Sequence, residues 1–221
     1  MGVKTHGMTQ DTTEQLTLVD LERQFDLHRV EDLDFFPECR ENLPELTDLE
    51  HQRLDRALAQ FRYLETMPLL ENMTRLVLLS PLLDLAGFYG HPFQSRSEQP
   101  IHLALPHQGV LIRGILETFV IQEQLWVLIV ESKQLGGSLL PGVHQTLAYL
   151  LSAPDRLYPR YALVGNGHDF LFLKVMTGAH PRYAQSPLFK TDRSEGLKQV
   201  LQVMKRLALT LRLRGSADEP A

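Results

Sequence analysis

Glu131-Ser132-Lys133 follow directly on the apolar run Leu125-Trp126-Val127-Leu128-Ile129-Val130. A run that is apolar at every position reads as a central strand covered on both faces. Glu131 and Lys133 then stand at its end, two residues apart and on the same side. A glutamate in that place can ligate Mg²⁺ or Mn²⁺ through oxygen while the ion keeps several waters. A lysine beside it can hold or deprotonate an attacking water, or stabilise charge developing on a phosphate. This is the minimum equipment for metal-assisted phosphodiester hydrolysis. Taken alone, Glu-x-Lys is a weak motif, and its plainer reading is a salt-bridged pair at a strand terminus.

Three further groups bear on that chemistry. A hairpin turn near Gln122-Glu123-Gln124 folds the strand of Glu117 back against that of Glu131, so that both carboxylates meet on one face as two metal ligands. The plainer reading of Glu117 is an exposed carboxylate on an edge strand. Gln145 and Tyr149 are four residues apart on a helix and share a face, either to contact a substrate backbone or the lysine, or simply as half-buried amphipathic residues. Glu71, in Glu71-Asn72-Met73-Thr74-Arg75, is a further acid in the first turn of a helix, where the helix dipole favours it in any case.

The elements that must position these groups can be read from periodicity. Leu16 to Phe25 reads as a short amphipathic helix, and the acidic, proline-containing stretch Glu31 to Pro44 as a connector. Thr47 stands three residues before Glu50, a capping box that opens a helix with the stripe Leu49, Leu54, Leu58, Phe61 and Leu64. A third helical region runs from about Leu69 to Leu85, broken or re-started at Pro81 and stopped at Gly87. From residue 101 the period changes. Strands are expected at 101–105, 110–112, 116–121 and 125–130, then a helix at Val143 to Leu151. A hairpin follows, Tyr161 to Val164 and Phe170 to Val175 about Gly165-Asn166-Gly167-His168. Gly196 to Leu213 is a final helix with Leu197, Val200, Leu201, Met204, Leu207 and Leu211 on one face. This order predicts an α/β sandwich: a mixed central sheet flanked by helices, with an N-terminal helical extension.

Bulk properties narrow the classes. The 221 residues suit one domain with appendages, and no apolar run approaches the length of a membrane span. Met1 to Gln15 is polar and lacks the apolar core of a signal peptide. Cys39 is the only cysteine, so an intrachain disulfide and a cysteine-based zinc site are excluded, and a reducing cytoplasm is the default compartment. There is no Gly-rich Walker loop and no Gly-x-Ser-x-Gly elbow. The net charge of −5 is unevenly spread. Residues 1–65 carry 15 acidic and 7 basic side chains, and residues 66–221 carry 12 acidic and 15 basic. This acidic front and mildly basic body form either two solvated faces or a basic end that contacts phosphate.

Taken together, these residues resemble the PD-(D/E)XK nuclease superfamily, and more closely the N-terminal nuclease domain of type I restriction enzyme R subunits. The resemblance covers about residues 65 to 175. It rests on Glu71-Asn72-x-Thr74-Arg75 with Pro81-Leu82-Leu83-x-x-Ala86-Gly87-Phe88, on Gly114-Ile115-Leu116-Glu117, on Glu131-Ser132-Lys133, and on Gln145-x-x-x-Tyr149. The chain as a whole is similar to short cyanobacterial R-subunit-like proteins. The resemblance implies a restriction-endonuclease-like fold in residues 66–214; charge and composition read residues 1–65 as an acidic helical extension and 215–221 as a disordered tail. It implies Mg²⁺ or Mn²⁺ held by Glu71, Glu117 and Glu131, with Lys133, Gln145 and Tyr149 completing the site. DNA is the implied partner, with a second copy of the chain or other restriction-system subunits as further candidates. Glu117 departs from the family pattern, which has aspartate at that place, and the chain lacks the helicase motor of a full R subunit. A catalytically impaired nuclease-fold module that binds DNA or regulates a partner is the alternative expectation.

Overall fold

In the computed structural model the described residues are 17–66, 73–93, 95–96, 99–104, 111–116, 119–121, 125–129, 138–152, 158–192 and 194–215. In chain order they form α1 (Leu18–Phe25), β1 (His28–Arg29), α2 (Asp48–Leu64), α3 (Ser80–Leu85), β2 (Ser95–Arg96), β3 (Gln99–Ala104), β4 (Leu111–Leu116), β5 (Phe119–Ile121), β6 (Leu125–Ile129), α4 (Leu140–Ser152), β7 (Arg160–Gly165), β8 (Asp169–Met176), β9 (Arg182–Gln185), β10 (Phe189–Lys190) and α5 (Ser194–Gly215). The fold is α/β with a mixed sheet.

The helices begin and end where local chemistry requires. Thr17 with Asp20, and Thr47 with Glu50, form reciprocal capping boxes at the starts of α1 and α2. Each box satisfies backbone donors that have no partner inside the helix. Ahead of α3, Arg75–Leu79 form a wide π turn, closed by the Ser80 N–H on the Arg75 carbonyl. Pro81 lies in the first turn of α3. It has no N–H to continue the ladder, and the widened turn accommodates its ring. Gly87, at φ +81°, ends α3. Its N–H bonds Asp84 O and the Phe88 N–H bonds Leu83 O, the paired contacts of a left-handed C-terminal cap.

Among the described residues the main sheet runs β1-β9-β8-β7-β6-β5-β2, with β10 beside β8. β6/β7 and β1/β9 are parallel, and the remaining pairs are antiparallel. Among the described residues β3 and β4 pair with each other, as a separate two-stranded ribbon. Of the strand expected at 116–121, residues 117 and 118 lie outside the described residues. Leu116 ends a ribbon strand, while Phe119 opens a strand of the main sheet, because their partners differ: Gln99 pairs with Leu116, and Val127 with Phe119.

The side chains of β7 and β8 alternate between two cores. Tyr161, Leu163, Phe170 and Phe172 face a core built with α2, α3 and α5. Ala162, Val164, Leu171, Leu173 and Val175 face a second core that contains Leu21 of α1 and Val143, Leu147 and Leu150 of α4. Residues before position 65 therefore share both cores with residues after it. On α2, Leu54, Leu58 and Phe61 are buried but Leu49 is 59% exposed. Five residues separate Leu49 from Leu54, which places it about 140° around the helix from the stripe. Glu50 turns inward instead, and Lys205 of α5 bonds its carboxylate.

Candidate functional site

The carboxyl ends of the parallel pair β6 and β7 lie side by side, with Ile129 in register with Gly165. The chain leaves β7 through Asn166-Gly167-His168. The Asn166 side-chain oxygen accepts from the N–H groups of His168 and Asp169, at 3.0 and 2.8 Å. Such an Asx turn, with Gly167 at φ +92°, closes the β7–β8 hairpin that the sequence signals. Thr191 clamps the same turn: its hydroxyl donates to Gly167 O at 2.8 Å and its N–H bonds His168 O at 2.8 Å.

Two helical segments pack over this turn. A Cβ on Gly167 would lie 2.6 Å from Phe61 Cζ and 3.1 Å from Thr74 Cγ2, so only glycine lets the turn pass beneath both. The result is a cleft of about 400 Å³ lined by Leu58, Phe61, Arg62, Glu65, His168, Thr191 and Asp192. Within it His168 Nε2 stands 2.5 Å from Glu65 Oε1. The His168 ring also meets Phe61 edge to face at 5.6 Å. Arg62 donates to the carbonyls of Thr191 and Asp192 at 3.2 and 2.8 Å, tying the end of α2 to the loop before α5.

β5 lies antiparallel to β6, with Phe119 opposite Val127, so the start of β5 is at the same end of the sheet. This is the pairing that the hairpin reading predicts. Helix α4 runs back along the opposite face. Arg160, which opens β7, donates to Leu150 O near the end of α4 at 2.7 Å. The first half of α4 therefore lies toward the carboxyl ends of β6 and β7.

Of the residues expected to carry chemistry, the structure brings Gln145 and Tyr149 together. Gln145 Nε2 donates to Tyr149 Oη at 2.7 Å. Tyr149 is 1% exposed and Gln145 half-buried. Burial pushes the Tyr149 phenol above its usual range, against a smaller opposing effect of the Gln145 contact, so it stays protonated at neutral pH. Glu71, Glu117, Glu131 and Lys133 lie outside the described residues. In the sequence, Glu117 precedes β5 by two residues, Glu131 follows β6 by two, and Glu71 precedes Thr74 by three.

His168, Glu65 and Arg62 were not singled out for chemistry from the sequence. The signal available for His168 was its place in the Gly165-Asn166-Gly167-His168 turn, while Glu65 and Arg62 look like ordinary polar positions at a helix end.

Compared with known proteins, the chain matches no family model, no curated protein and no solved structure. Among the described residues, no helix is long and apolar enough to cross a membrane.

Proposed function

We propose that this chain is a stand-alone Mg²⁺-dependent DNA endonuclease-like protein with a restriction-endonuclease-like fold, related to the R subunits of type I restriction enzymes, and that it hydrolyses phosphodiester bonds. One observation carries the reading. Three described positions near the candidate acids in sequence share one end of the sheet: the start of β5, two residues after Glu117; the end of β6, two residues before Glu131; and Thr74, three residues after Glu71, which packs on the turn that leaves β7. In open α/β sheets the crevice outside the carboxyl ends of the strands is where ligands bind.

The chemistry of the donor set fits a hard cation. Glu71, Glu117 and Glu131 offer only carboxylate oxygen, which suits Mg²⁺ or Mn²⁺. When bound, such an ion lowers the pKa of a coordinated water and neutralises charge on the phosphate. The chain's own groups do the rest. Lys133 holds the attacking water or stabilises the charge that develops on phosphate oxygen. Gln145 orients the scissile backbone. Tyr149 is too buried to touch substrate and is a positioning residue that fixes the Gln145 amide.

A second reading is a nuclease-fold module that binds DNA or regulates a partner without turnover. It is favoured by Glu117 in place of aspartate and by the net charge of −5. One extra methylene moves the carboxylate by about 1 Å, and a misplacement of that size can cost about 100-fold in rate.

Calorimetric titration of Mg²⁺ and Mn²⁺ into the unmodified protein and Glu131→Ala, with plasmid cleavage by both and by Lys133→Ala in the same buffer, tests these readings. Metal binding lost in Glu131→Ala, with cutting that needs both side chains, is the expected result. Metal binding without cutting selects the second reading. Absence of binding, or undiminished cutting by the variants, removes the assigned site.

A further inference from the structure

A second group of ligating side chains gathers at the opposite edge of the sheet. Asp26 caps the C-terminus of α1 in the left-handed conformation, at φ 52°, with its N–H on Glu22 O. Two residues later His28 opens β1, which pairs in parallel with β9. The backbone N–H of His28 donates to Pro181 O at 2.9 Å and that of Val30 to Tyr183 O at 2.8 Å. That pairing brings His180, in the β8–β9 turn, to the same place. His180 Nδ1 lies 2.5 Å from one Asp26 oxygen and His28 Nε2 lies 3.1 Å from the other. The three ligand atoms lie within 4.8 Å of one another, and all three residues are exposed. β1 is four strands from β6 in the sheet, roughly 19 Å at ordinary strand spacing, so this cluster is separate from the candidate nuclease site.

From this arrangement we infer that Asp26, His28 and His180 form a surface site for a borderline transition-metal ion, Zn²⁺. Two imidazole nitrogens and one carboxylate are a donor set that suits Zn²⁺, Cu²⁺ or Ni²⁺ and disfavours Mg²⁺ and Ca²⁺, which take oxygen. Zinc bonds of about 2.0–2.2 Å to nitrogen and oxygen place neighbouring ligand atoms a little over 3 Å apart. The three groups need only small side-chain rotations to reach that spacing. Each imidazole nitrogen that now faces the Asp26 carboxylate would turn its lone pair to the ion, which would occupy the space between them. Three protein ligands on the surface leave a fourth position to water, and the ion ties the end of α1 to the edge strand and the β8–β9 turn.

The test is calorimetric titration of Zn²⁺ into the full chain, repeated with Co²⁺ for its visible absorption, on the unmodified protein, Asp26→Asn, His180→Ala and the control His51→Ala. Asparagine tolerates the left-handed backbone at position 26, so Asp26→Asn keeps the cap and removes the charge. Circular dichroism and melting without metal establish that each variant is folded. The expected result is one Zn²⁺ per chain, a higher melting temperature with Zn²⁺, and affinity lowered by about tenfold or more in Asp26→Asn and His180→Ala but unchanged in His51→Ala, since even second-shell losses cost that much. No Zn²⁺ binding, or binding that survives in Asp26→Asn and His180→Ala, overturns the site. Equal loss in His51→Ala shows scattered histidine binding and overturns it too.

Discussion

Lys174 Nζ lies 2.9 Å from each carboxylate oxygen of Glu38, across 136 residues of sequence, with both side chains buried. The Tyr161 hydroxyl donates to the same carboxylate at 2.6 Å. The ammonium also stands 5.6 Å from the Phe35 ring centroid and 5.8 Å from that of Phe36. These contacts join the segment before α2 to the centre of the sheet. A buried charge deprived of its partner is expensive, whereas losing both charges together costs little. Glu38→Met and Lys174→Met alone are therefore expected to destabilise the fold by about 3–5 kcal/mol, and the double variant Glu38→Met/Lys174→Met by much less than their sum. Urea midpoints of the three variants measure this. Additive losses would show that the pair is not coupled.

The same carboxylate gives the stability a pH dependence. Burial pushes the Glu38 pKa up, but the hydrogen bonds from Tyr161 and Lys174 outweigh it, and the net value lies below the ordinary 4.5. A carboxylate with a depressed folded-state pKa contributes stability that is fully present above its unfolded value. That contribution fades as pH falls through the folded one. Stability should thus hold from neutral pH down to about 4.5 and drop below it, and Glu38→Gln should flatten that drop. An acid limb equally steep in Glu38→Gln would assign it to other carboxylates.

Gly196, in the first turn of α5, has a use that helix propensity does not show. A Cβ there would lie 1.9 Å from Lys190 O and 2.7 Å from Lys190 C, both backbone atoms of β10. Alanine is favoured over glycine in a helix by about 1 kcal/mol, but a backbone collision of this size forces the elements apart. Gly196→Ala should destabilise by roughly 1–3 kcal/mol, as overpacking does. Gly178→Ala, with nothing within 4 Å of its added Cβ, should be neutral or slightly stabilising. Thermal melts of the two variants decide, and an unchanged midpoint for Gly196→Ala would refute the close packing of α5 on β10.

What the sequence made legible is what local chemistry determines. The Thr47–Glu50 capping box, the stop at Gly87, the β7–β8 turn and the buried stripe of α5 each depend on residues within one or two turns of one another. What it hid depends on distant partners. Glu38 sits in an acidic stretch that reads as a connector, and its burial follows from Lys174, which stands between the apolar Leu173 and Val175 of β8. The two-residue strands β1 and β10 carry no periodicity to detect, and β1 exists because β9 supplies its hydrogen bonds. The gathering of Asp26, His28 and His180 follows from that pairing alone. At the candidate nuclease site the Gln145 and Tyr149 pairing was readable because four residues make one helical turn.

That pair supports a prediction that separates orientation from contact. Tyr149→Phe removes the oxygen that accepts from Gln145 Nε2 while keeping the ring in its buried place. The lost hydrogen bond should cost about 1 kcal/mol of stability. Gln145→Ala removes the amide itself and, if Gln145 orients the scissile backbone, should lower kcat for DNA cleavage by up to about 100-fold. Tyr149→Phe leaves that amide in place but free to rotate, so its kcat should fall less, with KM for DNA nearly unchanged because Tyr149 does not reach the substrate. Steady-state cleavage by both variants, beside urea melts, distinguishes the cases. If Tyr149→Phe raises KM as much as Gln145→Ala does, the tyrosine contacts DNA directly and its burial is relieved in the complex. If neither variant changes cleavage, the pair belongs to the packing of α4 and has no part in the reaction.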